Sequence, residues 1–178
     1  AFAHITIAKI IIYYFMMSFL MRFFLQSLPA MEIAPYLHLR IKKSTIGWFM
    51  LFKSLTSFFN FVPFLIFLPF AIGYMTEEFS SFQGFIWFAA VFFFELAVNF
   101  KLIYFKRRFT LNPKLIVLLI AFIALVIALD TYDIFSISEV SLWYFNQLSI
   151  DWTWVFLPIV TTAFFVVWNL RMIRKNSY

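Results

Sequence analysis

Long apolar runs separated by short polar connections dominate this chain. Five runs approach the about 20 residues with which an α-helix crosses a bilayer core. They cover residues 5–25, 46–72, 85–105, 114–129 and 152–170. Each is continuous rather than alternating, so the pattern predicts helices and not the strands of a barrel. The 114–129 run is short but consists almost wholly of Leu, Ile, Val, Ala and Phe. Pro63 and Pro69 lie inside the second run and Pro158 inside the fifth. A proline within a helix frees a backbone carbonyl and kinks the axis.

The connections carry a charge pattern. Arg40, Lys42 and Lys43 lie between the first two runs, flanked by Arg22 and Lys53. Lys101, Lys106, Arg107, Arg108 and Lys114 surround the third connection, and Arg171, Arg174 and Lys175 follow the last run. The other connections hold Glu77 and Glu78, and then Asp130, Asp133, Glu139 and Asp151, with no base. All of the 14 Lys/Arg residues except Lys9 therefore fall on one side or on helix ends adjoining it. Basic connections stay cytoplasmic. The expected architecture is one all-α integral membrane domain over residues 1–178, with about five transmembrane helices, N-terminus outside and C-terminus in the cytoplasm. An outside N-terminus without a signal pattern leads us to expect that a helix of the parent protein precedes this segment.

Two connections are long enough to carry structure. Residues 28–45, LPAMEIAPYLHLRIKKST, mix bases with apolar side chains and predict a cytoplasmic interfacial segment with a short helix starting near Pro35. In the 130–151 connection, Ser136 and Glu139 have capping-box spacing ahead of Val140, Leu142, Trp143, Phe145 and Leu148. This predicts a short helix lying on the outer surface of the membrane.

Composition narrows the function classes. Hydrophobic residues are 65% and charged residues 12% of the chain, against about 25% charged in soluble domains, and the mean hydropathy is +0.94. The chain has no cysteine, which removes disulfides, Cys-zinc sites, Fe–S clusters and thiol nucleophiles. The net charge of +6 is placed by topology and implies no nucleic-acid partner. No Gly-rich phosphate loop, convergent His/acid set or Ser-His-Asp arrangement is present, so no cofactor, metal or catalytic residue is expected. His4 and His38 stand alone. Tyr and Trp residues, Trp87 and Trp143 among them, fall mostly near helix ends and read as interfacial belts.

Three intramembrane polar residues remain. Glu95, in FFFELAVNFK, lies about ten residues into the third run, where a carboxylate is costly and faces protein, water or a partner. It reads either as a proton, cation or substrate contact, or as a packing lock, with Asn99 one turn away. Asn60 stands one turn before Pro63 and is placed to bond between helices. Together with Pro63 and Pro69 it marks either a hinge or a static kink.

The stretch from Tyr13 to Ile72 resembles an uncharacterised bacterial membrane-protein family grouped with type-2 ABC exporter permeases. That family shows a helix ending in R-F/Y-F-F/L-Q, then L-P or M-P, a P-Y/L-L-x-L segment, a basic pair, and a K-S/T-L/V-x-S-F-F-N helix start. The corresponding parts here are Arg22 to Gln26, Leu28-Pro29, Pro35 to Leu39, Lys42-Lys43 and Lys53 to Asn60. Arg40 is a departure, since many relatives carry Pro there. The resemblance implies a bacterial inner-membrane permease, part of a longer chain, working as a dimer or larger complex with a cytoplasmic ABC ATPase. The coupling role then falls on Glu32, Tyr36, His38, Arg40, Lys42 and Lys43. The expected function is a permease-like subunit of an ATP-driven exporter, without enzymatic activity of its own. The alternative is a non-transporting structural subunit of a membrane complex. A lipid-directed enzyme would need interfacial His or acid clusters that the sequence lacks.

Overall fold

A computed structural model describes residues 2–26, 42–109, 113–132 and 134–175. Helix α1 (Phe2–Leu25) is followed by α2 (Lys43–Leu55), a 3₁₀ turn (Phe58–Asn60) and α3 (Val62–Phe70). The chain continues from α3 through a π turn (Ala71–Met75) and the short Thr76–Glu78 helix. Then come α4 (Ser81–Phe109), α5 (Pro113–Thr131), α6 (Ile137–Ile150), a 3₁₀ turn (Trp152–Val155) and α7 (Phe156–Lys175). No strand occurs among the described residues. Among the described residues, four stretches are long and apolar enough to cross a membrane: Ala3–Leu25, Phe58–Glu78, Ser81–Lys106 and Trp152–Met172. The apolar part of α5, Ile116–Thr131, is shorter.

The 46–72 run is not one helix, contrary to the sequence reading. Helix α2 starts earlier, at Lys43, and ends at Leu55. The chain then passes through extended Ser57 (φ −63°, ψ 133°) and the 3₁₀ turn before α3 begins. Pro63 is buried in the first turn of α3, where its missing N–H breaks no hydrogen bond. It therefore marks a helix start rather than a mid-helix kink. Pro69 lies inside α3, just ahead of the π turn. Pro158 likewise falls in the first turn of α7.

Helix α4 is the central element, packed against α1, α7 and the π turn. The largest core cluster joins Ala8 and Ile11 of α1, Phe67, Ala71 and Met75 of the α3–π segment, Trp87, Ala90 and Val91 of α4, and Phe145 and Leu148 of α6. Alanines at these positions let helix backbones approach closely. Trp87 is 1% exposed and packs against Phe70 and Phe145, with ring centroids 5.2 and 5.5 Å away. It is a core residue and not part of an interfacial belt.

Helix α6 also departs from expectation. It exists, but it inserts one face into the bundle: Ser141, Tyr144, Phe145, Leu148 and Ser149 are buried. Ser141 Oγ donates to the Ala8 carbonyl at 2.5 Å, and Tyr144 OH donates to the Trp154 carbonyl at 3.1 Å. Burial pushes the Tyr144 hydroxyl pKa up. Ser136 makes no side-chain cap, so the capping box does not form. Asp130 caps the helix from across the turn instead, its Oδ1 accepting from Ser138 N–H at 3.3 Å and Ser138 Oγ at 3.1 Å. Glu139 is occupied elsewhere, pairing with Lys9 Nζ at 2.5 Å. This pair accounts for Lys9, the one base outside the basic side.

Gly84 on α4 sits directly beneath the π turn. A Cβ there would lie 2.8 Å from the Ala71 carbonyl oxygen and 3.1 Å from Thr76 Cγ2. Gly73, in the π turn itself, has nothing within 4 Å of such a Cβ. Gly84→Ala is expected to cost about 1–3 kcal/mol despite its better helix propensity. That is roughly 2–12 °C in Tm for a chain of this length. Gly73→Ala should leave Tm unchanged or raise it. Thermal unfolding of the two variants in detergent checks the contact, and a Gly84→Ala protein as stable as wild type contradicts it.

Candidate functional site

The polar side chains of α1 and α4 face each other in a ladder. Ser18, Arg22 and Gln26 lie four residues apart, on one face of α1, and Glu95 and Asn99 have the same spacing on α4. Arg22, Glu95 and Asn99 are each 0% exposed. Arg22 Nη2 and Nε donate to Glu95 Oε1 at 2.6 and 3.2 Å, and Ser18 Oγ donates to the same oxygen at 2.5 Å. Gln26 Nε2 donates to Asn99 Oδ1 at 3.1 Å. Charged pairs inside a membrane bundle hold only when the geometry and the hydrogen bonds are this complete.

A third element joins at the break between α2 and α3. The interruption leaves the last carbonyls of α2 without helical partners. Asn60 Nδ2 donates to the Ser54 and Leu55 carbonyls at 3.0 and 2.9 Å. Asn99 Nδ2 donates to Ser54 Oγ at 2.6 Å. Arg22 Nη1 ties the two amides together, donating to Asn60 Oδ1 at 2.8 Å and Asn99 Oδ1 at 3.3 Å. Its guanidinium carbon lies 5.6 Å from the centre of the Phe59 ring. The positive charge thus stands at the carbonyl end of α2, where the helix dipole is negative. Glu95 Oε2 is buried with no partner among the described residues.

This arrangement clamps α1, the α2–α3 break and α4 through one ion pair. No group of three or more His, Asp or Glu side chains able to hold a metal occurs among the described residues. The donors of Ser18, Arg22, Gln26, Asn60 and Asn99 are aimed at another member of the cluster or at a backbone carbonyl.

Residues 3–178 match the family described as Family of unknown function (DUF5687). The chain belongs to that family. No curated protein and no solved structure matches it. An uncharacterised family was the expectation, and DUF5687 is one. The tie to ABC permeases rests on the sequence resemblance alone.

In this DUF5687 chain the expected intramembrane residues Glu95, Asn99 and Asn60 meet in one cluster. Glu95 pairs with Arg22, however, and not with Asn99. Arg22 is half of a buried ion pair, where the charge pattern reads it as a topology signal. Ser18, Gln26 and Ser54 are further members that the sequence reading missed. The polar spacing of Ser18, Arg22 and Gln26 within an apolar helix was the available signal. Pro63 adjoins the cluster at the start of α3, whereas Pro69 lies further along that helix. Of the expected coupling residues, Glu32, Tyr36, His38 and Arg40 lie outside the described residues. Lys42 is exposed, and its carbonyl accepts from Thr45 N–H at 2.9 Å as α2 begins at Lys43. His4 stands apart from the cluster, near Ser149 and edge-on to Phe79.

Removing one partner of a buried pair strands the other charge, at a cost of about 3–5 kcal/mol. Glu95→Gln and Arg22→Met should each lower stability in detergent by that order. The double variant should be less damaged than the two losses combined, because neither charge remains. Strictly additive losses in this thermodynamic cycle contradict the pair.

Proposed function

We propose that this chain is a membrane-spanning, permease-like subunit of an ATP-driven exporter of the type-2 ABC class. The observation that carries the proposal is the Arg22 clamp. It binds the end of α1 and the break after α2, the two elements between which residues 28–45 run. Force applied to that segment by a cytoplasmic ATPase would reach α4 through one buried cluster. The resemblance from Tyr13 to Ile72 supports the same role for Glu32, Tyr36, His38, Arg40, Lys42 and Lys43. The subunit itself needs no cofactor and performs no chemistry, and two copies or a larger complex form the pathway.

In this reading the chain resides in a bacterial cytoplasmic membrane, with its N-terminus outside and its C-terminus in the cytoplasm. Helix α5 supplies the fifth crossing: at about 1.5 Å per residue, its 19 residues extend about 28 Å, close to a bilayer core. Its start follows the basic end of α4, and its end is tied through Asp130 to α6. Since the chain lacks cysteine, single cysteines report topology cleanly. Ile134→Cys should react with an impermeant maleimide added outside intact cells, and Lys42→Cys only after lysis. The reverse pattern inverts the topology.

A second reading, a structural subunit without transport, is favoured by the self-contained polar cluster, which lines no polar path. Purification of the full-length protein in gentle detergent, with mass spectrometry of its companions, separates the two. The permease reading expects a stoichiometric ATPase with Walker motifs. It also expects reversal of Arg40, Lys42 and Lys43 to glutamate to release that ATPase without loss of membrane insertion. Envelope or membrane partners without an ATPase overturn it in favour of the structural role.

A further inference from the structure

A cleft of about 400 Å³ lies between α1, α4 and α5. Its walls include Phe15, Phe19, Val98, Leu119 and Phe122, and among the described residues Lys101 is the one charged side chain in its lining. The cleft exists because α5 leans on the bundle through only a few side chains. Ile116, Leu119 and Ile123 pack on the Phe19, Phe23 and Leu102 cluster, while Val117, Leu118 and Phe122 stay exposed. Its volume falls in the about 300–1,000 Å³ range of small-molecule sites.

Lys101 decides what fits. It is exposed, with Nζ 5.7 Å from the centre of the Phe105 ring, and no carboxylate pairs with it among the described residues. It lies near the basic end of α4, five residues before Lys106, whose Nζ is occupied by the Gln26 carbonyl. An apolar trough between spanning helices with one free ammonium at its rim matches a long hydrocarbon chain that carries an anion at its end. A second copy of the chain would offer the trough an apolar helix face and leave Lys101 unanswered. We propose that the cleft binds an anionic phospholipid, one acyl chain in the trough and the phosphate on Lys101. Basic rims between spanning helices favour anionic over zwitterionic lipids, because the latter carry a compensating amine.

The test uses the full chain in gentle detergent, exposed to equimolar phosphatidylglycerol and phosphatidylcholine and then analysed by native mass spectrometry. Wild type should retain phosphatidylglycerol in preference, and Lys101→Ala should lower that preference about fivefold, the effect of one basic residue at an anionic headgroup. Lys101→Arg should keep it. Val98→Trp, which fills the trough, should reduce retention of both lipids. Since Lys101 is exposed, Lys101→Ala should keep the wild-type Tm without lipid. Equal phosphatidylglycerol retention by wild type and Lys101→Ala overturns the proposal. A Val98→Trp protein with unchanged lipid retention but an altered oligomeric state also overturns it, and assigns the cleft to a second copy.

Discussion

In a bilayer, a carbonyl that loses its helical partner has no water to turn to. The interruption between α2 and α3 takes the helical partners from the carbonyls of buried Ser54 and half-buried Leu55. Asn60 answers it locally, folding its amide back onto both carbonyls. The remaining acceptors need a donor, and Arg22 supplies it from another helix. A buried guanidinium in turn requires a counter-charge, which Glu95 supplies from the central helix. The ion pair, the two asparagines and the broken helix are thus one connected consequence of ending a helix inside the bundle. Most of the charge is neutralised within the cluster, which is why so polar a site is stable there.

The opposite end of the molecule is held by a different set of contacts. There Lys9 pairs with Glu139, Ser141 reaches the Ala8 carbonyl, and Gln83 reaches the Ser149 carbonyl at 2.8 Å. These tie α6 to the starts of α1 and α4. Between the two polar layers lies the aromatic and alanine core around Trp87.

Membership in DUF5687 assigns a family and no activity. The ion pairs Arg22–Glu95 and Lys9–Glu139, with the amides and hydroxyls around the first, join helices among the described residues. The apolar cleft with Lys101 at its rim lies apart from these groups, whereas Oε2 of Glu95 is buried within the cluster with no partner among the described residues.

Hydropathy alone determined that the chain forms helices long and apolar enough to cross a membrane, because continuous apolar runs leave the backbone no other solution in lipid. It also located Glu95, Asn99 and Asn60, since polar atoms are conspicuous in such runs. Other features depended on which helices become neighbours. Arg22 read as a topology charge because its partner lies 73 residues away on a helix whose rotation the sequence does not state. The capping box at Ser136 failed because Lys9 claimed Glu139 and Asp130 took over the cap. Pro63 read as a kink because its position in a run does not say where the helix around it begins. Local periodicity specifies which segments become helices and which faces are apolar. Only the packed bundle decided which buried charges meet, because an ion pair between helices is fixed by their register and rotation.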